Sequence, residues 1–439
     1  MNKERKIITR RDFGKQTAWS TAALAGFGIV NSARAAEEPM KIGLIGCGGR
    51  GNGAVEDAIK ASGKIQLIAV HDYFEGKAKG TVAGLQKNEN LKENIKVDPA
   101  NIFSGRESYK KLLELKLDYV IIASPPGFKP EHFEGAINAK KHVFCEKPVA
   151  TDPVGTRRYM AAAKKSEELK LSVVTGTQRR HQKPYVDTIK KLHDGEIGEI
   201  LYGRAYWDGG LPWTRPRVPG QSDADYQINN WYQFCWICGD NIVEQHVHNL
   251  DIMNWVFKSH PISVIAAGGR CWKPKTELYG NIWDSFSCDF EYPNGVHVMS
   301  YCRHLNNCYD EISELVVGTK GRSNCNDKGE GGINPYVQEH KDLQASILGT
   351  GPHLNEAIQV AESTFTAIFG RMAAYTGQKL AWDAALNSDL DLMPKDLSPS
   401  AKIPWDNIPV PGNPPGERRA GGRREPRPAP PKEKQPEKK

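Results

Sequence analysis

Short apolar runs alternate with segments of helical periodicity through the first part of the chain. The apolar runs lie at residues 41–45, 65–70, 119–123, 142–145 and 171–175. Helical segments separate them, at residues 54–61, 131–139 and 153–169. Strands that are apolar on both faces are typical of a parallel sheet covered by helices on both sides. The pattern therefore predicts an α/β domain with a doubly wound parallel sheet over residues 36–177.

The pattern changes after Gln178, where strand-like segments alternate between apolar and polar residues. They lie at residues 200–207, 285–292 and 296–302, and the last two are separated by the turn sequence Tyr292-Pro293-Asn294-Gly295. Strands of this kind form an antiparallel sheet with one open face. Helices are predicted at residues 185–193, 247–257 and 354–375. Residues 178–395 are thus predicted to form an α+β domain with a mostly antiparallel sheet.

The first 35 residues have the order of features expected in a targeting segment. A basic stretch that contains Arg10 and Arg11 precedes a weakly apolar run at residues 18–30, and the small-residue site Ala33-Arg34-Ala35 follows. This order resembles a twin-arginine export signal. A disordered basic arm is the alternative. We expect export to the periplasm or beyond, with no stable membrane insertion after the signal is removed.

The other end of the chain, residues 396–439, is predicted to be a disordered Pro/Arg/Lys-rich tail. From Pro411 onward it contains no Val, Ile or Leu and could not bury enough apolar surface to fold. The net charge of +7 comes from the two basic ends, so the part between them is mildly acidic. The basic balance therefore gives no reason to expect nucleic acid as a partner.

A glycine-rich loop follows the first predicted strand and precedes a helix. It contains Gly46, Gly48, Gly49, Arg50 and Gly51. Glycines at this spacing allow a tight turn, close approach of a pyrophosphate and close packing of helix on strand. Asp72 ends the second strand, where a carboxylate can bind both ribose hydroxyls and would repel a 2′-phosphate. The loop predicts a dinucleotide cofactor, with NAD favoured over NADP.

Further motifs complete a resemblance to a known family. Glu146-Lys147-Pro148 and Ser124-Pro125-Pro126, together with the glycine loop, resemble the Gfo/Idh/MocA oxidoreductases, which include glucose–fructose oxidoreductase and inositol dehydrogenases. The resemblance runs from about Met40 to about Pro394. It implies a Rossmann domain in which Ser124, Pro125, Glu146 and Lys147 contact the cofactor. It also implies that Lys147 lies beside the nicotinamide and the reacting hydroxyl.

The same resemblance implies catalytic roles for residues of the segment Glu244-Gln245-His246-Val247-His248. His248 takes the position of the family's catalytic histidine, and Glu244 that of its aspartate, a change that lengthens the side chain. On one continuous helix, residues four apart share a face, so we expect Glu244 to orient His248. His246 is a rival for the role of base or substrate ligand.

Three further residues are expected to face the substrate. They are Gln178, Arg179 and Asp251. The acid-flanked histidines could instead hold a divalent metal, and a lone Cys235-x-x-Cys238 leaves metal, disulfide and buried thiols open. We expect no metal.

The function that follows is NAD(P)-dependent oxidation of a secondary alcohol on a sugar, glycoside or cyclitol. An exported enzyme could not exchange its cofactor with a soluble pool, so we expect the cofactor to be tightly held. A redox-neutral glycosidase or epimerase that works through a transient keto-sugar is one alternative, and a non-catalytic sugar-binding protein is another. The resemblance also implies a homo-oligomer.

Overall fold

The computed structural model describes residues 38–412. The predicted export signal, residues 1–35, lies outside the described residues, as does the chain beyond Gly412. Among residues 38–412, no helix combines the length and the apolar character needed to cross a lipid bilayer.

The first domain is built on a six-stranded parallel sheet in the order β3-β2-β1-β4-β5-β6. Its strands are β1 Met40–Ile45, β2 Ile65–Asp72, β3 Ile102–Ser104, β4 Tyr119–Ile122, β5 His142–Cys145 and β6 Val173–Thr175. Its helices are α1 Gly49–Ser62, α2 Glu75–Lys87, α3 Tyr109–Glu114, α4 Lys129–Asn138 and α5 Pro153–Glu168. The predicted Rossmann-like domain is confirmed. Because the carboxyl ends of parallel strands share one edge, the glycine loop, Asp72, Ser124 and Glu146 meet there.

The second domain contains a seven-stranded sheet in the order β12-β11-β7-β10-β9-β8-β13. Its strands are β7 Ile200–Gly209, β8 Ser263–Gly269, β9 Ser285–Glu291, β10 His297–His304, β11 Glu311–Gly318, β12 Gly321–Ser323 and β13 Leu380–Ala381. The mostly antiparallel sheet is confirmed, although β7 and β10 pair in parallel. Alternation along the strands buries one face, which includes Phe286, Phe290 and Val298, and exposes Ile265 and Ile312 on the other.

Eight helices of the described chain belong to this second part. They are α6 Lys183–His193, α7 Asp223–Asn229, α8 Cys235–Cys238, α9 Asn241–Glu244, α10 Val247–Phe257, α11 Pro335–Leu348, α12 Ala357–Thr376 and α13 Trp382–Leu386. Short 3₁₀ turns lie at Lys92–Asn94, Pro99–Asn101, Pro126–Phe128, Gln178–His181, Trp231–Gln233 and Glu277–Tyr279.

The chain returns to the first domain late in the sequence. Helix α11 packs on α1, and its Leu343 is buried with residues of the first sheet. Helix α12 then runs between the domains, with Val360 and Ala361 buried against the first and Phe365 and Phe369 in the core of the second. The two domains are therefore joined by more than the connection near residue 177.

The segment that follows α13 differs from the tail expected from residue 396. Leu397 and Ile403 are buried, and the backbone oxygen of Ile403 accepts a hydrogen bond from Gln227 at 2.8 Å. Trp283 donates to the carbonyl oxygen of Pro409 at 3.2 Å. The chain thus stays in contact with the second domain well past residue 396. Apolar side chains spaced along this Pro-rich segment are still buried against that domain.

Candidate active site

The glycine loop connects β1 to α1, and its glycines have different environments. Gly46 has a φ of +102°, and a Cβ on it would lie 2.4 Å from the backbone nitrogen of Ser124. A Cβ on Gly51 would lie 2.0 Å from the carbonyl oxygen of Gly46. A Cβ on Gly48 would meet no described atom within 4 Å. The fold therefore requires Gly46 and Gly51, whereas Gly48 leaves space for a ligand to approach the backbone.

Asp72 fixes the glycine loop from the end of β2. Its Oδ2 accepts a hydrogen bond from the backbone nitrogen of Cys47 at 2.8 Å, and its Oδ1 accepts one from Phe74 at 2.9 Å. A carboxylate has about four lone-pair sites, and Asp72 lines the cavity beside the loop. Its remaining lone pairs are therefore available to a ligand in this cavity.

A cavity of about 620 Å³ runs along the glycine loop. Ser124 and Pro125 line it from the first domain, and the second domain contributes Trp213, Arg215, Ile228 and Trp231. Among the described lining residues, Asp72 is the acidic one, against the cations Arg50, Lys77, Arg106 and Arg215. Positive charge and the free amides at the start of α1 suit a pyrophosphate. The residues present therefore fit NAD.

The Ser124 side chain is held by a histidine on the same wall. Its Oγ lies 2.9 Å from Nδ1 of His132, and both residues are buried. Burial, together with the neighbouring His71 and Arg106, lowers the pKa of His132 well below its ordinary value. His132 is therefore neutral and acts here as a hydrogen-bonding partner.

Glu146 is tied to the glycine loop through Arg50. The Arg50 Nε donates to Oε1 of Glu146, while its Nη1 lies 3.0 Å from a carboxylate oxygen of Asp57. The guanidinium also lies 4.7 Å from the centre of the Tyr336 ring, which α11 supplies. The Glu-Lys-Pro segment and the glycine loop are thus fixed relative to each other.

A second cavity of about 280 Å³ adjoins the first. The two cavities share the lining residues Arg50, Ala123, Ser124 and Trp231. The smaller one is also lined by Lys129, Glu146, Lys147, Gln178, Glu244 and His248. The predicted catalytic residues therefore meet at one end of the predicted cofactor cleft.

Lys147 is bound to Glu244 in this smaller cavity. The Lys147 Nζ donates to the backbone oxygen of Glu244 at 2.5 Å and to its Oε1 at 3.2 Å. The Tyr232 hydroxyl donates to the other carboxylate oxygen, Oε2. An ammonium group has three N–H bonds, so Lys147 keeps one for a ligand in the cavity.

Glu244 does not orient His248 in the way the sequence argument expects. That argument needs one continuous helix, but α9 ends at Glu244 and α10 begins at Val247. The break turns the Glu244 carboxylate toward Lys147 and Tyr232. Glu244 is therefore a partner of the lysine in this structure.

His248 lies on the cavity wall and stacks on an aromatic ring. Its ring centre is 5.9 Å from that of Trp207, with 23° between the planes. Burial lowers the pKa of His248 well below its ordinary value, and the charges of Lys147 and Arg179 lower it further. The imidazole is therefore neutral and can accept a proton.

His246, the rival histidine, lies behind this wall and is fully buried. Its Nε2 is 2.7 Å from the hydroxyl oxygen of Ser300 on β10. Burial lowers the pKa of His246 to about 3. These contacts belong to the packing of α10 on the second sheet, and they differ from the substrate contact predicted for His246.

The other three residues predicted to face the substrate differ in their surroundings. Gln178 lines the smaller cavity, and its buried Oε1 has no hydrogen-bond partner among residues 38–412. Arg179 instead pairs with Glu314, and Asp251 accepts from Nε of Arg180 at 2.9 Å. Arg179 and Asp251 are thus each paired with an opposite charge of the protein, as buried charges require.

Lys129 is a further residue of the smaller cavity. It is buried at the start of α4, and its Nζ donates to the carbonyl oxygens of Lys147 at 2.9 Å and Pro148 at 3.0 Å. Burial lowers the pKa of Lys129 to about 8. Lys129 therefore fixes the backbone that carries Lys147.

Metal and disulfide alternatives were also left open by the sequence. Within the described chain, residues 38–412, no group of three or more His, Cys, Asp or Glu side chains is arranged to hold a metal ion. All nine cysteines lie in this range as free thiols, including the buried Cys235 and Cys238. Cys235 and Cys238 are thus buried thiols in this structure, and they form neither a disulfide nor part of a metal site among the described residues.

Two family models match the chain. Residues 40–175 match the oxidoreductase family, NAD-binding Rossmann fold, of the GFO/IDH/MocA group, and residues 186–323 match the GFO/IDH/MocA C-terminal domain. An inositol 2-dehydrogenase of Acidothermus cellulolyticus is 27% identical over 236 residues, which cover 54% of this chain and 59% of that protein. The chain thus spans a little over half the length of the first curated relatives that it matches.

Solved structures show the same fold at low identity. A scyllo-inositol dehydrogenase from Lactobacillus casei, with bound cofactor NAD(H) and scyllo-inositol, has a TM-score of 0.59 and 18% identity, covering 79% of this chain and 100% of that chain. An aldose-aldose oxidoreductase from Caulobacter crescentus, complexed with glycerol, has a TM-score of 0.61 and 16% identity, covering 78% and 100%. The chain belongs to the Gfo/Idh/MocA family of oxidoreductases, and its first domain is the NAD-binding Rossmann domain of that family.

Proposed function

We propose that this protein is an NAD-dependent oxidoreductase that acts on a secondary alcohol of a cyclitol or sugar. One observation carries the proposal: Lys147 and His248 line a cavity that adjoins the cleft fitted for NAD. The inositol dehydrogenases among its relatives support the substrate class. When bound, NAD supplies the acceptor for the electron pair that leaves the alcohol carbon.

The side chains of the smaller cavity divide the remaining chemistry between them. His248 accepts the hydroxyl proton, because its imidazole is neutral and lines the same cavity as Lys147. Lys147, held by Glu244, offers its third N–H to the same oxygen as negative charge develops there. The buried Oε1 of Gln178 has no hydrogen-bond partner among the described residues. It can accept a hydrogen bond from another hydroxyl of the substrate.

A direct test measures NADH formation with a panel of inositols and aldoses and the purified full chain. We expect turnover with at least one polyol, and a loss of about 10²-fold or more in kcat for Lys147→Met. The matched control is Lys190→Met, which removes an exposed lysine on α6. Full activity of Lys147→Met would rule out the proposed role.

A second candidate is a redox-neutral reaction in which one cofactor molecule stays bound. The predicted export signal supports it, since an exported enzyme meets no soluble pool of NAD. The similar fold of an aldose-aldose oxidoreductase is consistent with it. In this case the same His248 and Lys147 would move protons in both the oxidation and the later reduction of the sugar.

Turnover without added NAD separates the two candidates. A redox-neutral enzyme converts glycosides or sugar pairs with its retained cofactor and accumulates no NADH. A simple dehydrogenase needs added NAD and forms one NADH for each product molecule. Location is tested separately, by fractionating cells that carry the full chain and a variant with Arg10→Lys and Arg11→Lys.

Homo-oligomer formation is part of the same proposal. The open face of the second sheet exposes Leu201, Ile265 and Ile312, and a second copy would cover them. Sedimentation of the purified chain measures the state, and Ile312→Lys is expected to shift it toward monomer.

A further inference from the structure

The wall that the second domain contributes to the larger cavity forms a connected unit. Trp213 and Trp231 line the cavity, with their ring centres 5.7 Å apart in an edge-on arrangement. The Arg215 guanidinium lies 4.9 Å from the centre of the Trp213 ring. Trp213 is 41% exposed, so this wall stands between the cavity and solvent.

Polar bonds hold this wall in place. Gln233 donates to the backbone oxygen of Trp213 at 2.9 Å. The backbone nitrogen of Arg215 donates to Oδ1 of Asn230 at 2.8 Å, and its Nη1 donates to Asn229 at 3.0 Å. The loop after β7 is thus anchored to the turn after α7, although it has no regular structure of its own.

One hydrogen bond fastens the wall to the opposite side of the cleft. The hydroxyl of Tyr73 donates to Oδ1 of Asp225 on α7 at 3.0 Å. Tyr73 directly follows Asp72, the residue expected to bind ribose, and it also lines the cavity. A ligand that leaves by parting the two domains here must first break this bond.

The segment after α13 supports the wall from behind. Gln227 on α7 donates to the backbone oxygen of Ile403 at 2.8 Å, and the Ile403 nitrogen donates to Asp223 at 3.2 Å. Leu397 and Ile403 are buried in one cluster with Ile228, a residue that lines the cavity. This segment therefore resists outward movement of α7.

We propose that residues 213–231, fastened by the Tyr73–Asp225 bond and backed by residues 397–405, form a clamp that retains NAD. This inference rests on the proposed function, because it adds residues of the second domain to the proposed NAD site. Arg215 places a cation on that wall, where it attracts the pyrophosphate. Trp213 covers the cleft from solvent. Release of the cofactor then requires the clamp to open, so the clamp slows dissociation.

The test measures how fast NAD leaves the purified full chain. Protein is loaded with NAD and desalted, and NAD that remains bound is released by denaturation and quantified over time. We expect wild type to retain NAD through desalting. Tyr73→Phe removes one hydrogen bond to a carboxylate and should release NAD about tenfold faster. Trp213→Ala and Arg215→Gln should also release it faster.

Matched controls separate the clamp from general damage. Tyr301→Phe changes a tyrosine on the second sheet, away from the cavity, and should release NAD as wild type does. Thermal melting without NAD shows that each variant is still folded at the temperature of the release assay. Ile403→Ala tests the backing segment and should also speed release.

The outcomes distinguish this inference from the proposed function. Release at the wild-type rate from Tyr73→Phe and Trp213→Ala would overturn the clamp, even if the enzyme oxidises polyols with added NAD. Immediate release from wild type would overturn it as well. Faster release of NAD from Tyr73→Phe and Trp213→Ala than from wild type and Tyr301→Phe supports the clamp. A chain that never binds NAD would overturn both proposals.

Discussion

The ammonium group of Lys147 donates hydrogen bonds to both the backbone oxygen and the carboxylate of Glu244. The first contact uses a backbone oxygen that any residue at position 244 has, whereas the second needs the glutamate side chain. Lys147 is therefore positioned by two contacts that a mutation can separate.

Glu244→Gln should lower kcat and leave the NAD content unchanged. The glutamine keeps the backbone contact and the size of the side chain but loses the charge that pairs with Lys147. We expect a loss of roughly 10- to 100-fold in kcat, as for one hydrogen bond between charged groups. Steady-state kinetics measure it, with the exposed Glu199→Gln as control. An unchanged kcat would mean that the carboxylate has no part in positioning the lysine.

His248 and His246 should give opposite effects when each is replaced by asparagine. His248→Asn should lower kcat by about 10²–10⁴-fold with little change in stability, because it removes the proton acceptor in the cavity. His246→Asn should cost about 1–3 kcal/mol of unfolding free energy, because it disturbs the buried bond to Ser300.

Urea unfolding and steady-state kinetics on both histidine variants check this assignment. The half-exposed His297→Asn, on the second sheet, serves as the control. A larger loss of kcat in His246→Asn than in His248→Asn, at unchanged stability, would reverse the assignment.

Two glycines of the cofactor loop should respond differently to alanine. Gly51→Ala places a Cβ 2.0 Å from the carbonyl oxygen of Gly46, so the fold should be strongly destabilised. At Gly48 the same change meets no described atom within 4 Å, so stability should hold. NAD affinity should still fall, because the new methyl group occupies the approach of the pyrophosphate. Thermal melting and NAD titration measure the two effects, and equal melting temperatures would contradict the prediction for Gly51.

Stability should depend on pH through His181. Its Nδ1 lies 2.7 Å from Asp342 and its Nε2 3.0 Å from Glu356. Burial lowers the pKa of His181, but the two carboxylates outweigh burial and raise it to about 10. In the unfolded chain a histidine titrates near 6.5.

The folded chain therefore holds a proton between about pH 6.5 and pH 10 that the unfolded chain does not. The stability that His181 contributes is complete below about pH 6.5 and is lost as the pH rises toward 10. His181→Gln should cost about 3–5 kcal/mol at pH 6 and progressively less at pH 8 and pH 9. Urea unfolding at these values measures it, with His297→Gln as control. A cost that stays constant with pH would contradict the assignment.

Local sequence patterns predicted those parts of the site whose residues lie close together in the sequence. The first strand, the glycine loop and Asp72 belong to one strand–loop–helix–strand unit, so spacing alone could place them. The Glu-Lys-Pro segment came from resemblance, and the structure puts it beside that loop through Arg50.

Contacts between distant segments could not be predicted in this way. The helical spacing of Glu244 and His248 suggested one face, but the helix is broken between them. Arg179 and Asp251 looked free, yet Glu314 and Arg180 pair with them across the fold. Residues 397–405 had the composition of a tail, although Gln227 and Asp223 hold them in place.

The late return of α11 to the first domain limits how this protein can be divided. Leu343 fills part of the first core, and Tyr336 covers Arg50 at the glycine loop. A fragment that ends near residue 177 would lack both, and it would expose the flank of α1 to water. Excising the nucleotide-binding half as a module, or exchanging it for that of a relative, therefore requires carrying residues 335–361 along with it.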